Sequence, residues 1–120
     1  MNITEHIINK VAQDTGVTKN LLLSRRRNQF IVDAKQIVVF ALSQLGFTQQ
    51  YIANALNYAD HTTVNHHLNK KCRQTHENRF RATGVVKSYL DMALYENARL
   101  QENLEAKLFQ SKNEMEEAWR

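Results

Sequence analysis

The stretch Asp60-His61-Thr62-Thr63-Val64 puts a capping carboxylate, an imidazole and two hydroxyls into the first turn of an amphipathic helix. Short polar side chains at a helix start can reach base edges when that helix enters a major groove. Asp60 can accept from a cytosine amino group, and the His and Thr side chains can meet a thymine methyl or a base acceptor. The positive end of the helix dipole favours nearby phosphates. A second cluster, Arg25-Arg26-Arg27, brings the positive charge that draws a protein onto a phosphate backbone. Together the two clusters point to a double-stranded DNA partner.

Other chemistries fit less well. Cys72 and His76 stand four apart, and His66 and His67 are adjacent. No second pair completes a tetrahedral metal site, and neighbouring histidines on a helix diverge. No set of nucleophile, base and orienting group is visible. The chain therefore reads as no enzyme, with no cofactor and no metal. Cys72 is the single cysteine, which leaves no intrachain disulfide. Tyr58, in a turn, reads as a packing residue.

The clusters need a frame, and the apolar pattern supplies one. With no proline and three glycines among 120 residues, the chain lacks the punctuation of an all-β protein. Apolar residues recur at helical spacing, so the class is all-α. A first helix is expected from about Thr4 to just before Gly16, with Ile7, Ile8, Val11 and Ala12 on one face. Thr18 caps a short second helix through Leu21, Leu22 and Leu23, and Ser24 to Gln29 form a basic loop. The third helix, about Ile31 to Leu45, is apolar nearly all round at Ile37–Leu42, which places it at the centre of the core.

Thr48 caps a fourth helix, Gln49 to Leu56, with Ile52, Ala53 and Leu56 inward. After Asn57-Tyr58-Ala59, Asp60 caps a fifth, expected to run to about Thr75 with Val64, Leu68 and Cys72 on one stripe. Two helices joined so closely, with the small Ala53 in the first, form a helix-turn-helix pattern. Beyond Gly84 one long helix is expected from about Val85 towards Trp119, with Leu90, Leu94, Leu104, Leu108 and Met115 on a stripe. Its heptad is broken by Asn97, Gln101 and Ser111.

Charge divides along the same line. Residues 1–88 carry 12 Lys and Arg against 5 Asp and Glu, and residues 89–120 carry 4 against 7, so the net +4 is made of +7 and −3. A basic body meets a polyanion; an acidic tail does not. Two regions follow: a DNA-binding domain over 1–88 and a helical extension over 89–120. No apolar run is long enough for a membrane span. Met1-Asn2-Ile3-Thr4-Glu5 lacks the basic-then-apolar order of a signal peptide. The expected location is cytoplasmic, on the nucleoid.

The run Leu22-Leu23-Ser24-Arg25-Arg26-Arg27, then Lys35-Gln36 opening an apolar helix, then Asp60-His61-Thr62-Thr63-Val64, resembles the C-terminal DNA-binding domain, domain IV, of the bacterial replication initiator DnaA. The resemblance covers roughly residues 3–88. It implies a Trp-repressor-like helix-turn-helix bundle, here with a long C-terminal helix, that reads a DnaA-box-like duplex in replication initiation or its regulation. It implies base contacts in the major groove from Asp60, His61 and Thr62, with Thr63 helping to hold DNA at the same helix start. Arg27 matches the arginine that enters the adjacent minor groove. Arg25 matches a position facing the backbone, Arg26 completes the cluster, and Lys35 and Gln36 match an arginine–glutamine pair that contacts DNA.

This chain departs from the family's pattern at Ala59, where many members carry an arginine, and at Lys35, which lacks the bidentate fork of arginine. No Gly-x-x-x-x-Gly-Lys-Ser/Thr loop occurs, so no ATP is expected as a ligand and the chain reads as a stand-alone reader without a motor. A reading of a different class is a protein-interaction module that docks on an initiator or another partner with the same fold. The long tail helix either packs on its own domain or joins a homodimer or a protein partner.

Overall fold

A computed structural model describes residues 2–118, with side chains over residues 2–96. Among them the elements are all helices: α1 (Ile3–Thr15), α2 (Lys19–Leu22), α3 (Gln29–Gln44), α4 (Gln49–Ala55), α5 (His61–Asn69) and α6 (Arg73–Ala118). The chain divides into two units, Met1–Tyr89 and Leu90–Arg120.

Within the first unit α3 is the central rod. Its Ile37, Val38, Val39, Phe40, Ala41 and Leu42 are all buried, as the unbroken apolar run requires. It packs against α1, α2, α4 and α5. Ile7, Ile8 and Val11 from α1, Leu22 from α2, Ile52, Ala53 and Leu56 from the α4 region and Val64 from α5 close the core around it. Ala82, Val85 and Val86 from the first part of α6 complete it. Burying each large aliphatic side chain contributes about 1.5–3 kcal/mol, so short helices such as α2 and α4 are held by packing rather than by their own propensity.

Side-chain caps set the helix starts. Asn2 accepts from the Glu5 N–H, Thr18 from Leu21, Thr48 from Tyr51 and Asp60 from Thr62. Asn2 thus starts α1 ahead of Thr4, whose hydroxyl is instead turned inward, 2.7 Å from the Tyr51 hydroxyl. Two helix ends share one closure. Gly46 (φ 90) and Asn57 (φ 60) take the left-handed conformation just past α3 and α4. In each case the next N–H reaches back: Phe47 to the Leu42 carbonyl at 3.1 Å and Tyr58 to the Ala53 carbonyl at 2.9 Å. Asparagine adopts this geometry more readily than most residues, and the Asn57 amide is further held by a long-range bond to the Leu23 carbonyl.

The structure corrects two boundaries. The fifth helix does not continue to Thr75; it stops at Asn69, and Lys70 is extended (φ −65, ψ 127). Cys72 therefore leaves the Val64–Leu68 stripe and lies exposed before α6. No glycine marks this stop because distant side chains satisfy the open carbonyls. Gln36 donates to the His67 carbonyl (3.2 Å) and Arg79 to the Leu68 carbonyl (2.6 Å). Second, the last helix begins at Arg73 and passes through Gly84 instead of starting at Val85. A glycine weakens a helix interior by only about 1 kcal/mol, and the burial of Ala82, Val85 and Val86 on either side of Gly84 offsets that. The stripe positions Leu104, Leu108 and Met115, with Asn97, Gln101, Ser111 and Trp119, lie outside the described side chains.

Candidate nucleic-acid interface

The start of α5 is built to present polar groups. The Asp60 backbone is extended (φ −155, ψ 176), and its carboxylate accepts from the Thr62 N–H at 2.8 Å. That hydrogen bond, with lesser help from the adjacent His61 and the Thr63 N–H, holds the Asp60 carboxyl below the usual carboxylate range. Asp60, His61, Thr62 and Thr63 are all exposed, whereas Val64 directly after them is fully buried. Val64 pins the helix to the core and leaves its first turn facing out.

The basic cluster lies in the α2–α3 connection. The Ser24 hydroxyl closes the end of α2 by donating to the Leu21 carbonyl at 2.7 Å, and it accepts weakly from the Arg26 N–H at 3.4 Å. Arg25, Arg26 and Arg27 are exposed. Among the described residues the ion pairs are Lys10–Asp14 and Arg73–Glu77, so no carboxylate neutralises the three arginines.

The loop and α5 face one another across an open groove of about 550 Å³. Arg25, Arg26 and Arg27 line one side; Thr62, Thr63 and His66 line the other. Val32, Lys35, Asn57, Tyr58, Ala59 and His67 complete the lining. Asp60 and His61 are not part of the groove wall; they stand exposed at the tip of α5 beside it.

Two residues expected at the DNA surface are placed differently. Lys35 is only 4% exposed, and its ammonium donates to the backbone carbonyls of Ser24 and Arg26. It also lies 5.5 Å from the centre of the Tyr58 ring. Burial, and then the Arg27 charge, push the Lys35 amine below its ordinary range. Gln36 is 3% exposed and wholly engaged inside. Its amide nitrogen donates to the His67 carbonyl and the Thr75 hydroxyl, and its oxygen accepts from the Asn78 amide at 2.7 Å. Gln36 faces the core because α3 is buried on nearly every side, and it is not part of the groove lining.

The groove floor is a pair that the sequence only half announces. The Tyr58 hydroxyl and His67 Nε2 are 3.3 Å apart, and His67 is buried. Burial pushes the Tyr58 phenol up. Burial first, and then the charges of His66, Lys70 and Lys35, push the His67 imidazole down to about 4. Its Nδ1 has no hydrogen-bond partner. Tyr58 is a packing residue, as its turn position suggests. His66, missed as a groove residue, was visible in principle: it follows Thr62 by four and Thr63 by three, the spacing of one helix face. Among the described residues no group of three His, Cys, Asp or Glu is placed to hold a metal, and no helix is long and apolar enough to cross a membrane.

The model of the family described as the bacterial DnaA protein helix-turn-helix matches residues 4–70, more than half of the chain. The matched segment runs from the second residue of α1 through α5 and includes the basic loop and the exposed start of α5. No curated protein and no solved structure matches the chain.

Proposed function

The chain belongs to the bacterial DnaA helix-turn-helix family, a DNA-binding family, and from that premise we propose that it binds duplex DNA sequence-specifically, at a site like a DnaA box. In this reading α5 enters the major groove, where Asp60, His61, Thr62 and Thr63 meet base edges and phosphates. Arg27 follows the adjacent minor groove, where the potential is most negative, and Arg25 and Arg26 face the backbone. Lys35 supports the loop from beneath. Residues 1–88 form the DNA-binding domain and act on the nucleoid, in replication initiation or its regulation.

One observation carries the reading. Three arginines with no carboxylate partner among the described residues, and Thr62 and Thr63 at the start of a core-anchored helix, line the same open groove. Charge and short polar groups are thereby offered together, the combination a protein needs both to attract DNA and to read it. The test is a titration of the full chain, by fluorescence anisotropy, with a DnaA-box duplex and with a scrambled duplex of equal composition. The expected result is a preference of at least tenfold for the box at physiological salt, with steep weakening as salt rises. Equal affinity for the two duplexes rejects the sequence-specific reading.

A second activity is supported by the second unit. At its start Leu94 and Tyr95 are 68% and 69% exposed, and the region from residue 89 on carries net negative charge. Exposed apolar side chains on an acidic helix suit self-association or a protein partner better than they suit DNA. Light scattering during size exclusion tests the homodimer, and a monomer at high concentration rejects it.

A further inference from the structure

Consecutive side chains on a helix diverge by about 100°, so two neighbours can hold two different elements. Lys35 and Gln36 do this from the most buried helix of the fold. Lys35 closes on the Ser24 and Arg26 carbonyls, which flank Arg25 and precede Arg27. Gln36 closes on the His67 carbonyl in the last turn of α5 and on Thr75 and Asn78 at the start of α6. One residue holds the arginine loop, the other the far end of the helix whose start faces the groove.

We infer that Lys35 and Gln36 are positioning residues that set the separation between the two arms of the grip, the arginine loop and α5. This rests on the DNA-binding reading above and gives the dipeptide a role other than DNA contact. The physical case is the type of group at each place. A compact ammonium has three rotatable donors, enough to satisfy two converging carbonyls at once. A carboxamide can donate and accept at once, and Gln36 uses both ends to join α5 to α6. Without these bonds the loop keeps little secondary structure of its own, and the last carbonyls of α5 lose a partner.

The experiment has two arms on the full chain. In the first, 15N relaxation is measured on the free protein. Lys35→Met is expected to lower the order parameters of the Arg25–Arg27 amides from the rigid range near 0.85 towards about 0.6, and to leave His61–Thr63 unchanged. Gln36→Met is expected to loosen the end of α5 and spare the loop. Loop amides that stay rigid in Lys35→Met overturn the inference. If that variant does not fold, the Lys35 ammonium is observed in the wild type: slow proton exchange supports the bond to the loop, and fast exchange overturns it.

The second arm is a double-mutant cycle on the DnaA-box duplex. Lys35→Met is expected to weaken binding about tenfold in the wild-type background and less than about twofold in Arg27→Ala, because the two act through the same loop. Equal losses in both backgrounds overturn positioning and give Lys35 a phosphate contact of its own. A wild type that does not prefer the box rejects the functional reading, and the relaxation arm still decides the positioning role.

Discussion

The arginine loop and the start of α5 face one groove with opposite resources. The loop carries three full charges on a segment with almost no regular hydrogen bonding, held at two carbonyls by Lys35. The start of α5 carries little charge but has a defined backbone: a capped first turn, anchored by the fully buried Val64. Charge on an irregular exposed segment attracts any duplex, and small groups on a capped helical turn discriminate between duplexes. Affinity then rests mainly on one arm and selectivity mainly on the other, and each division can be broken.

The largest effect is expected from the loop. Replacing Arg25, Arg26 and Arg27 together with alanine leaves up to three phosphates without a cation. The slope of log K against log salt should fall by up to about 0.9 for each such phosphate, and affinity at physiological salt by about 3 kcal/mol. The loss should be similar on box and scrambled duplexes, apart from the part due to Arg27 in the minor groove. Anisotropy titrations across a salt series measure both quantities. An unchanged slope breaks the division, because the loop would then not be the charged arm.

The other arm should behave in the opposite way. His61→Ala is expected to cost about 1–3 kcal/mol on the specific duplex and little on the scrambled one, with an unchanged salt slope. An equal loss on both duplexes would turn His61 into a backbone contact and merge the two arms into one kind of surface.

How far these arms could be read from the sequence differs in the same way. The caps at Thr18, Thr48 and Asp60 and the central rod Ile37–Leu42 were legible, because each depends on neighbours within a few residues. The end of α5 at Asn69 was not, because Gln36 and Arg79, far away in the chain, satisfy its carbonyls. The resemblance suggests a DNA-facing place for Lys35 and Gln36, yet both side chains are buried. A polar side chain on a helix buried all round turns inward when backbone carbonyls or amides wait there, and only the folded packing shows that they do. The groove's two walls were expected as separate clusters; that His66, Tyr58 and His67 join them depends on the rotation of α5 against the loop.

Beneath both arms His67 offers a way to disturb them together by pH. Its folded pKa is near 4, below the ordinary 6.5, so the fold prefers the neutral ring. Between those values the unfolded chain binds more protons than the folded one. Stability from this group is therefore fully present above about pH 6.5 and is lost as pH falls towards 4, by on the order of 2 kcal/mol. Urea unfolding of the wild type and of His67→Gln at pH 7 and pH 4.5 measures the difference. The wild type should lose more stability than the variant over that interval; equal losses would mean that the buried ring is not what responds.

The smallest effect separates two duties carried by one residue. Asp60 is both a cap, through the Thr62 N–H, and the exposed acceptor at the tip of α5. Asp60→Ala removes both and should lower stability by about 1 kcal/mol in thermal unfolding. Asp60→Asn keeps the cap, because asparagine caps as well as aspartate, and stability should change by only a few tenths of a kcal/mol. Its amide, however, donates as well as accepts, so the preference among box variants should still shift at the base Asp60 faces. Competition among duplexes that differ at single positions reads that shift. A variant that keeps both stability and base preference would reduce Asp60 to a cap and leave the reading to His61 and Thr62. Loss of stability in Asp60→Asn would instead mean that the negative charge itself, at the positive end of α5, holds the reading turn in place.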